Sequence, residues 1–504
     1  MNIRTKLRRW LTRKLPPAAL GALTLLMAGC GPEEWIVWAP DGAHAIAQDG
    51  IIDSAGNTLG AVTGEGETIA AWLPDSRRVL VVRSVKAASW EEYAALLGAE
   101  RAVIVAAAAG ELARLIAENQ DALAEFDGTP GFKIWRENLE TRGEQADAVL
   151  AYLDAVRPGL LDPLMEASAK RDADAARKEN GGADAGQPET TGAAIREQMG
   201  YPKILELHVR SVAAPGVSDD QLLLRSAGEF GSLAVSPNGR AVSFVREESA
   251  DLRLYAMALE PGAQPVLVQS GAEFAAWSPD GQELAYSKSS IPRRIQKEKD
   301  GLGLGSIARR RVCTPEGAII AEAEPGEDVA GLILPEYPAR VAWLPDGRIL
   351  FAGAKFTLPA TTQNLPNGLT LFALRLQPAP SVEQLIPDSV PSRLTERVNY
   401  FTVSPDGKKV AVLGNAGAVS VLALDTKTFS TLQDACPHFA RKGSDDSMLV
   451  PAWRSADELT FLVPAGDPAG SRERAEVVVA SLRGGRRAIS KSWPDSARLP
   501  RLEK

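Results

Sequence analysis

The chain is short of the residues from which compact chemical sites are usually built. Its 504 residues include 3 Cys and 3 His, too few for a disulfide-stapled scaffold, a four-cysteine zinc module or a His-rich metal centre. His44, His208 and His438 stand far apart and the sequence calls for no metal or cofactor. No Gly-x-Ser-x-Gly nucleophile elbow occurs, and no His-Glu-x-x-His pair. There is no excess of cations either: 56 Lys+Arg against 64 Asp+Glu give a formal charge of −8, which speaks against nucleic acid as a partner. What the chain does have is 45% hydrophobic and 24% charged residues, enough apolar material for a large core and too much for global disorder.

The first 14 residues carry Arg4, Lys6, Arg8, Arg9, Arg13 and Lys14 and no acid. The apolar run Ala18 to Ala28 that follows is shorter than the roughly 20 residues needed to span a bilayer. Residues 1–29 therefore read as a signal peptide. Leu26-Met27-Ala28-Gly29-Cys30 resembles the lipobox of bacterial lipoproteins, with Met27 where that family usually has Leu. The resemblance implies cleavage before Cys30, lipidation of Cys30 and membrane attachment through the lipid alone. The remaining chain then has 50 Lys+Arg against 64 Asp+Glu, a charge of −14. Gly31 stands where the family's inner-membrane retention signal has Asp, which implies the periplasmic side of an outer membrane.

A template recurs: Trp38-Ala-Pro-Asp41-Gly42, Trp72-Leu-Pro-Asp75-Ser76, Val235-Ser-Pro-Asn-Gly239, Trp277-Ser-Pro-Asp280-Gly281, Trp343-Leu-Pro-Asp346-Gly347, Val403-Ser-Pro-Asp406-Gly407 and the eroded Trp453-Arg-Ser-Ala-Asp457. Pro presets φ, Asp bonds its own downstream backbone and Gly accepts positive φ, so each copy is a hairpin corner. Short β-branched or aliphatic runs follow most corners, and two more strand-like runs follow those. Four strands per repeat make one propeller blade. The expectation is an all-β, seven-bladed propeller, with six or eight blades also compatible, because Trp493-Pro-Asp-Ser496 looks like a truncated further corner. The motif tryptophans are read as filling space between blades rather than as a ligand cage.

These copies resemble the TolB-type propeller repeats of bacterial periplasmic proteins, over residues 33–86 and 203–493. In that family the propeller is a docking platform for envelope partners, and this is what the resemblance implies here. The turn residues that carry it transfer a fold and not a site. Propellers of this kind also accompany prolyl oligopeptidase-type serine peptidases, but no stretch is left for a hydrolase domain.

The chain departs from its period in long connections. Seven excursions are expected on one face: Ser84 to about Lys203, Lys288 to Ala308, Gly353 to Gly368 and Pro464 to Arg472 after second strands, and Glu322 to Ala339, Pro378 to Arg397 and Gln433 to Ser447 after fourth strands. The longest is a helical insertion, residues 89–200, in blade 2. Ser89-Trp-Glu-Glu92 opens it as a capping box. Its apolar stripes are Trp90, Tyr93, Leu96 and Leu97, then Leu112, Leu115, Ile116, Leu123 and Phe126, then Val149, Leu150, Leu153 and Val156. Residues 181–192 read as a flexible return linker. The propeller occupies 30–88 and 201–493, and 494–504 form a tail.

In the insertion, Ser89 to Gly200, 21 Asp+Glu stand against 11 Lys+Arg. The connection in blade 4 is of opposite sign, with Arg293, Arg294, Lys297, Lys299, Arg309 and Arg310 as candidate binding cations. Cys313 and Cys436 are read as free, buried thiols. The leading expectation is a non-enzymatic, lipid-tethered propeller that binds an envelope protein or polymer through its loop-rich face. The alternatives are a glycan or peptide lyase or hydrolase with its site in the central depression, and an assembly factor or chaperone for exported proteins, favoured if the helical stripes stay unpaired. The oligomeric state is left open.

Overall fold

The computed structural model describes residues 36–489, apart from 48–49, 62–66, 120–128, 142–145, 165, 167–202, 213–219, 229, 249–250, 290–302, 321–325, 335–339, 355–368, 379, 396, 415–416, 434–449 and 466–473. The leader with Cys30, the linker 181–192, Cys436, His438 and the Trp493 corner lie outside the described residues.

The backbone forms seven four-stranded antiparallel sheets, each an uninterrupted meander. Blade 1 is β1 to β4 (Ile36–Trp38, His44–Ala47, Gly50–Asp53, Thr58–Ala61) and blade 2 is β5 to β8 (Glu67–Trp72, Arg78–Lys86, Lys203–Ser211, Gln221–Ser226). Blade 3 is β9 to β12 (Gly231–Val235, Ala241–Glu248, Asp251–Ala258, Val266–Ser270), and blade 4 is β13 to β16 (Ala272–Trp277, Glu283–Ser289, Gly303–Arg311, Glu327–Leu334). Blade 5 is β17 to β20 (Val341–Trp343, Ile349–Ala354, Leu369–Arg375, Ser381–Gln384) and blade 6 is β21 to β24 (Arg397–Val403, Lys409–Leu413, Val419–Ala423, Thr428–Gln433). Blade 7 is β25 to β28 (Ala452–Ser455, Glu458–Ala465, Arg474–Ser481, Arg486–Ala488). Among the described residues, helices α1 (Trp90–Leu97), α2 (Ala99–Glu118), α3 (Pro130–Thr141) and α4 (Ala146–Val156) lie between β6 and β7.

Each template copy joins the first and second strands of a blade, and its chemistry is local. In blade 4 the Gly281 amide donates to the Ser278 carbonyl at 2.8 Å, and the Gln282 amide to Asp280 Oδ1 at 3.0 Å. Ser278 Oγ donates to the same carboxylate and accepts from the Glu283 amide. Blades 3 and 6 repeat this with Ser236 and Ser404. Blades 2 and 5 place Leu73 and Leu344 there instead, both buried, so the serine position faces the interior. Ser76 adopts φ 57° where the other full copies have glycine. The eroded seventh corner becomes a tight hairpin, with Ser455 opposite Glu458.

First strands of neighbouring blades run against one another around the axis. Apolar clusters fill the wedges between blades, among them Trp72, Ile69, Val79 and Val81 against Ala39, Ile46 and Ile51 of blade 1. The motif tryptophans sit in these wedges. Trp72 Nε1 donates to the Val37 carbonyl at 2.8 Å, Trp277 Nε1 to Ala234 at 3.0 Å and Trp453 Nε1 to Thr402 at 3.1 Å, each reaching the first strand of the preceding blade. Buried indole N–H groups need an acceptor, and the neighbouring blade supplies it.

Among the described residues no strand is shared between blades 1 and 7, since each sheet is built from consecutive strands. The ring closes through side chains. Trp38 Nε1 donates to Thr460 Oγ1 at 2.8 Å, and Arg454 Nε donates to the Gly42 carbonyl at 3.0 Å while its guanidinium lies over the Trp38 ring. Arg487 reaches the Ser54 carbonyl. Ile36, Trp38, Ala45 and Ile52 share one apolar cluster with Trp453, Phe461 and Val477 to Ala480.

Three expectations about the connections need correction. The segments Glu322 to Ala339 and Pro378 to Arg397 are not excursions after a fourth strand, because they contain the fourth strands β16 and β20 themselves, and Lys288 to Ala308 contains the first part of β15. The connection that follows β15, residues 312–326, leaves from beside the blade 4 corner, since Arg311 pairs with Glu283 and Arg240 of the blade 3 corner donates to the Glu316 carbonyl. The long connections therefore emerge on both rims.

Candidate functional site

The insertion is the most elaborate feature of the rim that bears the second-to-third-strand connections. Its first helix begins where the capping box places it: the Glu92 amide donates to Ser89 Oγ at 3.3 Å and the Ala88 amide to Glu92 Oε2 at 2.6 Å. The apolar stripes pack against one another. Tyr93, Leu97, Leu112, Leu115, Ile116, Val149, Leu150 and Leu153 share one buried cluster with Trp135, whose Nε1 donates to the Ala108 carbonyl at 2.8 Å. Leu123 and Phe126 lie outside the described residues. Unpaired stripes would favour the chaperone expectation, and the described ones are paired. Val103, Ile134 and Val156 remain exposed on the outer surface of the helices.

The insertion is rooted on the outer half of blade 2. Ile204, Ala87 and the half-buried Val85 and Ala227 extend its core into the sheet. Tyr93 Oη donates to the Ala227 carbonyl at 3.4 Å, and Arg225 of β8 pairs with Glu92 of α1 at 2.7 Å. Hydrogen bonds from the Ala88 amide and then from Arg225 hold the Glu92 carboxyl below its ordinary range.

Beneath this root lies a charged network. Glu67, Arg83, Glu206 and Arg225 stand directly opposite one another across all four strands of blade 2, alternating in sign. They share a face with Val79 and Val81, which pack on blade 1 nearer the corner. Blade 1 has strands of three and four residues, whereas β7 has nine. His208 and Arg210 stand opposite Val81 and Val79, the rungs that pack on blade 1, and Glu206 with Glu67 continues the charge along the same face. Arg210 holds Glu67 through two hydrogen bonds of 2.7 and 3.0 Å and reaches Asp220 at 3.2 Å. Glu67 and then Asp220 raise its pKa, against the effect of burial. His208 sits between the two halves: Nε2 is 3.3 Å from Glu206 Oε2 and Nδ1 is 3.3 Å from Asp220 Oδ1.

The axis offers a different environment. Ala70, Ala71, Ala234, Val235, Ala275, Ala342, Val403 and Ala452 of the first strands pack with the apolar clusters of the wedges, whereas β21 carries Asn399 and Tyr400 in its middle. Two first-strand charges have defined partners, Glu67 with Arg210 and Arg454 with Glu458 at 2.7 Å. Asp41, Asp75, Asp280, Asp346 and Asp406 stand in the corners, where each accepts from a backbone amide two residues on. At Asp406, burial pushes the carboxyl up, but hydrogen bonds from Ser404 Oγ and the Lys408 amide outweigh it and leave it below its ordinary value. Gly42, Gly281, Gly347 and Gly407 complete these turns at positive φ, and Trp343 is half-buried at the start of its corner.

Of the candidate binding cations, Arg293, Arg294, Lys297 and Lys299 lie outside the described residues. Arg309 and Arg310 are strand residues of β15 and not loop cations. Arg309 pairs with Glu327 at 3.0 Å, and Arg310 donates to the Val268 carbonyl of blade 3. Cys313 is free and buried, its thiol pushed up to about 11 by burial. His44 and His208 stand in blades 1 and 2. The blade 2 network escaped the sequence reading, although Glu206-Leu-His208-Val-Arg210 alternates with period two and signals a polar strand face.

No protein-family model and no curated protein matches the chain. Solved structures resemble it at low identity. TolB from Acinetobacter baumannii is 16% identical over 56% of this chain and 58% of that one, with a TM-score of 0.35. The β-propeller domain of the Trilobed protease from Pyrococcus furiosus, described as having an open velcro topology, is 11% identical over 57% of this chain and 77% of that one, with a TM-score of 0.35. Prolyl oligopeptidase B from Galerina marginata is 10% identical over 57% of this chain and 40% of that one, with a TM-score of 0.37. The chain thus spans about three fifths of the Acinetobacter protein's length. Scores this low bear on neither activity nor partner.

Proposed function

We propose that the protein is a non-enzymatic binding or scaffold propeller, tethered through lipidated Cys30 to the periplasmic side of the outer membrane, with the helical insertion as its arm for an envelope protein or polymer. The observation that carries this reading is the way the arm is built. Four helices with their own apolar core are fastened to the outer half of blade 2 by Arg225 with Glu92 and by Tyr93 with Ala227, and they present Val103, Ile134 and Val156 outward. An arm rooted away from the axis suits capture of a partner better than closure over a pocket.

The test uses the acyl-free protein as bait for solubilised envelope. Lys86 and Lys203 are cross-strand partners, so replacing residues 87–202 by Asn-Gly closes β6 and β7 with a short turn and removes the arm while leaving the blade. A stoichiometric partner retained by the intact protein and lost by the armless one is the expected result. Equal recovery by both proteins would overturn the role given to the arm.

A further inference from the structure

We infer that His208 is a proton-operated latch that sets how firmly the helical insertion is seated on the propeller. The side chain is more than nine-tenths buried, and its two ring nitrogens lie beside different carboxylates, each at 3.3 Å. Nε2 meets Glu206, whereas Nδ1 has no hydrogen-bond partner although Asp220 Oδ1 is 3.3 Å away. A neutral imidazole carries one N–H, so it serves one carboxylate and turns a lone pair towards the other. An imidazolium has a donor for each.

The charged groups around the ring make the same point. Carboxylates come from β5 (Glu67), β7 (Glu206), the approach to β8 (Asp220) and α1 (Glu92). Guanidinium groups come from β6 (Arg83), β7 (Arg210) and β8 (Arg225). With neutral His208 the set carries one net negative charge, and with imidazolium it is balanced. The link to the insertion runs through Arg225, which divides its charge between Glu206 on the sheet and Glu92 on α1. Seating α1 brings in the Glu92 carboxylate and draws Arg225 away from Glu206, leaving Glu206 freer to stabilise an imidazolium. Linkage is reciprocal, so a proton on His208 favours the seated helix. Acidification therefore tightens the seat, and alkaline pH loosens it.

Hydrogen exchange on the purified protein tests this. The readout is the protection factor of the α1 amides, in which the intrinsic pH dependence of exchange is divided out, with the amides of β22 as an internal reference. Between pH 8 and pH 5.5 the α1 factors should rise about tenfold relative to β22. His208→Gln should hold the ratio within about twofold over the same range. Because His208→Gln introduces a buried change, Glu92→Gln is the second variant: the amide can keep the capping box and a hydrogen bond to Arg225 while losing the charge, so it too should flatten the response. A flat response in the unaltered protein, or an undiminished response in a folded Glu92→Gln or His208→Gln protein, would overturn the latch.

Discussion

Replacing Gly42 by alanine tests whether the ring is closed by a seam of side-chain and backbone contacts between blades 1 and 7. A Cβ built at Gly42 lies 2.4 Å from the Arg454 carbonyl oxygen, a backbone atom of the opposite blade, and φ there is +66°. Two sister positions separate the contributions. At Gly347, φ is +84° and nothing lies within 4 Å, so Gly347→Ala reports backbone strain alone, about 1–2 kcal/mol. At Gly281 the Cβ meets Asn238 Nδ2 at 2.6 Å, the end of a side chain that can rotate away, so Gly281→Ala should cost little more than Gly347→Ala. At Gly42 the obstacle cannot rotate, and relief requires the seam to part by about 1 Å, which forfeits a quarter to a half of the local dispersion attraction. The same movement stretches the Arg454 bond to the Gly42 carbonyl and the bond from Trp38 to Thr460, at about 1 kcal/mol each. Gly42→Ala should therefore cost about 2–3 kcal/mol beyond Gly347→Ala. Urea unfolding midpoints of the three variants supply the ranking, and hydrogen exchange at Trp38 and Val478 shows whether the loss is at the seam. If Gly42→Ala is no less stable than Gly347→Ala, the seam does not close the ring in the way described.

Trp277→Phe keeps an aromatic ring between blades 3 and 4 but removes part of the indole and its hydrogen bond to the Ala234 carbonyl, leaving that oxygen the longer contact from Ser243 Oγ; a loss of about 1–3 kcal/mol in chemical denaturation is expected. The corner carboxyls of Asp75, Asp346 and Asp406 are all held below their ordinary values. The unfolded chain thus binds protons more readily, and their contribution, fully present above the unfolded carboxyl range, is lost as pH falls through the lower folded values. A melting temperature steady from pH 7 to 5 and dropping below about pH 4 is the expected profile, and a drop beginning near pH 6 would contradict it. Cys30→Ser should abolish incorporation of labelled fatty acid and move the protein from the membrane to the soluble fraction; retention in the membrane would refute the lipid tether.

The corners were readable because every interaction in them is short in sequence. The Pro-Asp-Gly turn, the Asp side chain capping amides two residues on and the buried serine bonding amides of the second strand all lie within six residues, so each copy announces itself. The Ser89 cap of α1 was legible for the same reason. Blade 4 shows the limit. Its third and fourth strands, Gly303–Arg311 and Glu327–Leu334, are defined by pairing with each other across a connection whose described residues include the Cys313 to Ile319 bridge. Local pattern placed the excursion after the fourth strand, and pairing placed it before, which moved that connection to the opposite rim. Arg309 and Arg310, which look like loop cations in a basic run, became strand residues for the same reason.

The amino-acid sequence alone determined the corner chemistry, the four-strand repeat and the helical character of the insertion, since each follows from contacts between near neighbours in the chain. Only the tertiary structure decided which residues close the ring and which charges meet beneath the arm. Trp38 and Thr460 are 422 residues apart and Glu67 and Arg210 are 143. No local rule relates such positions; the curvature of seven stacked sheets brings the first pair together, and the antiparallel pairing of β5, β6 and β7 puts the second on one face of blade 2.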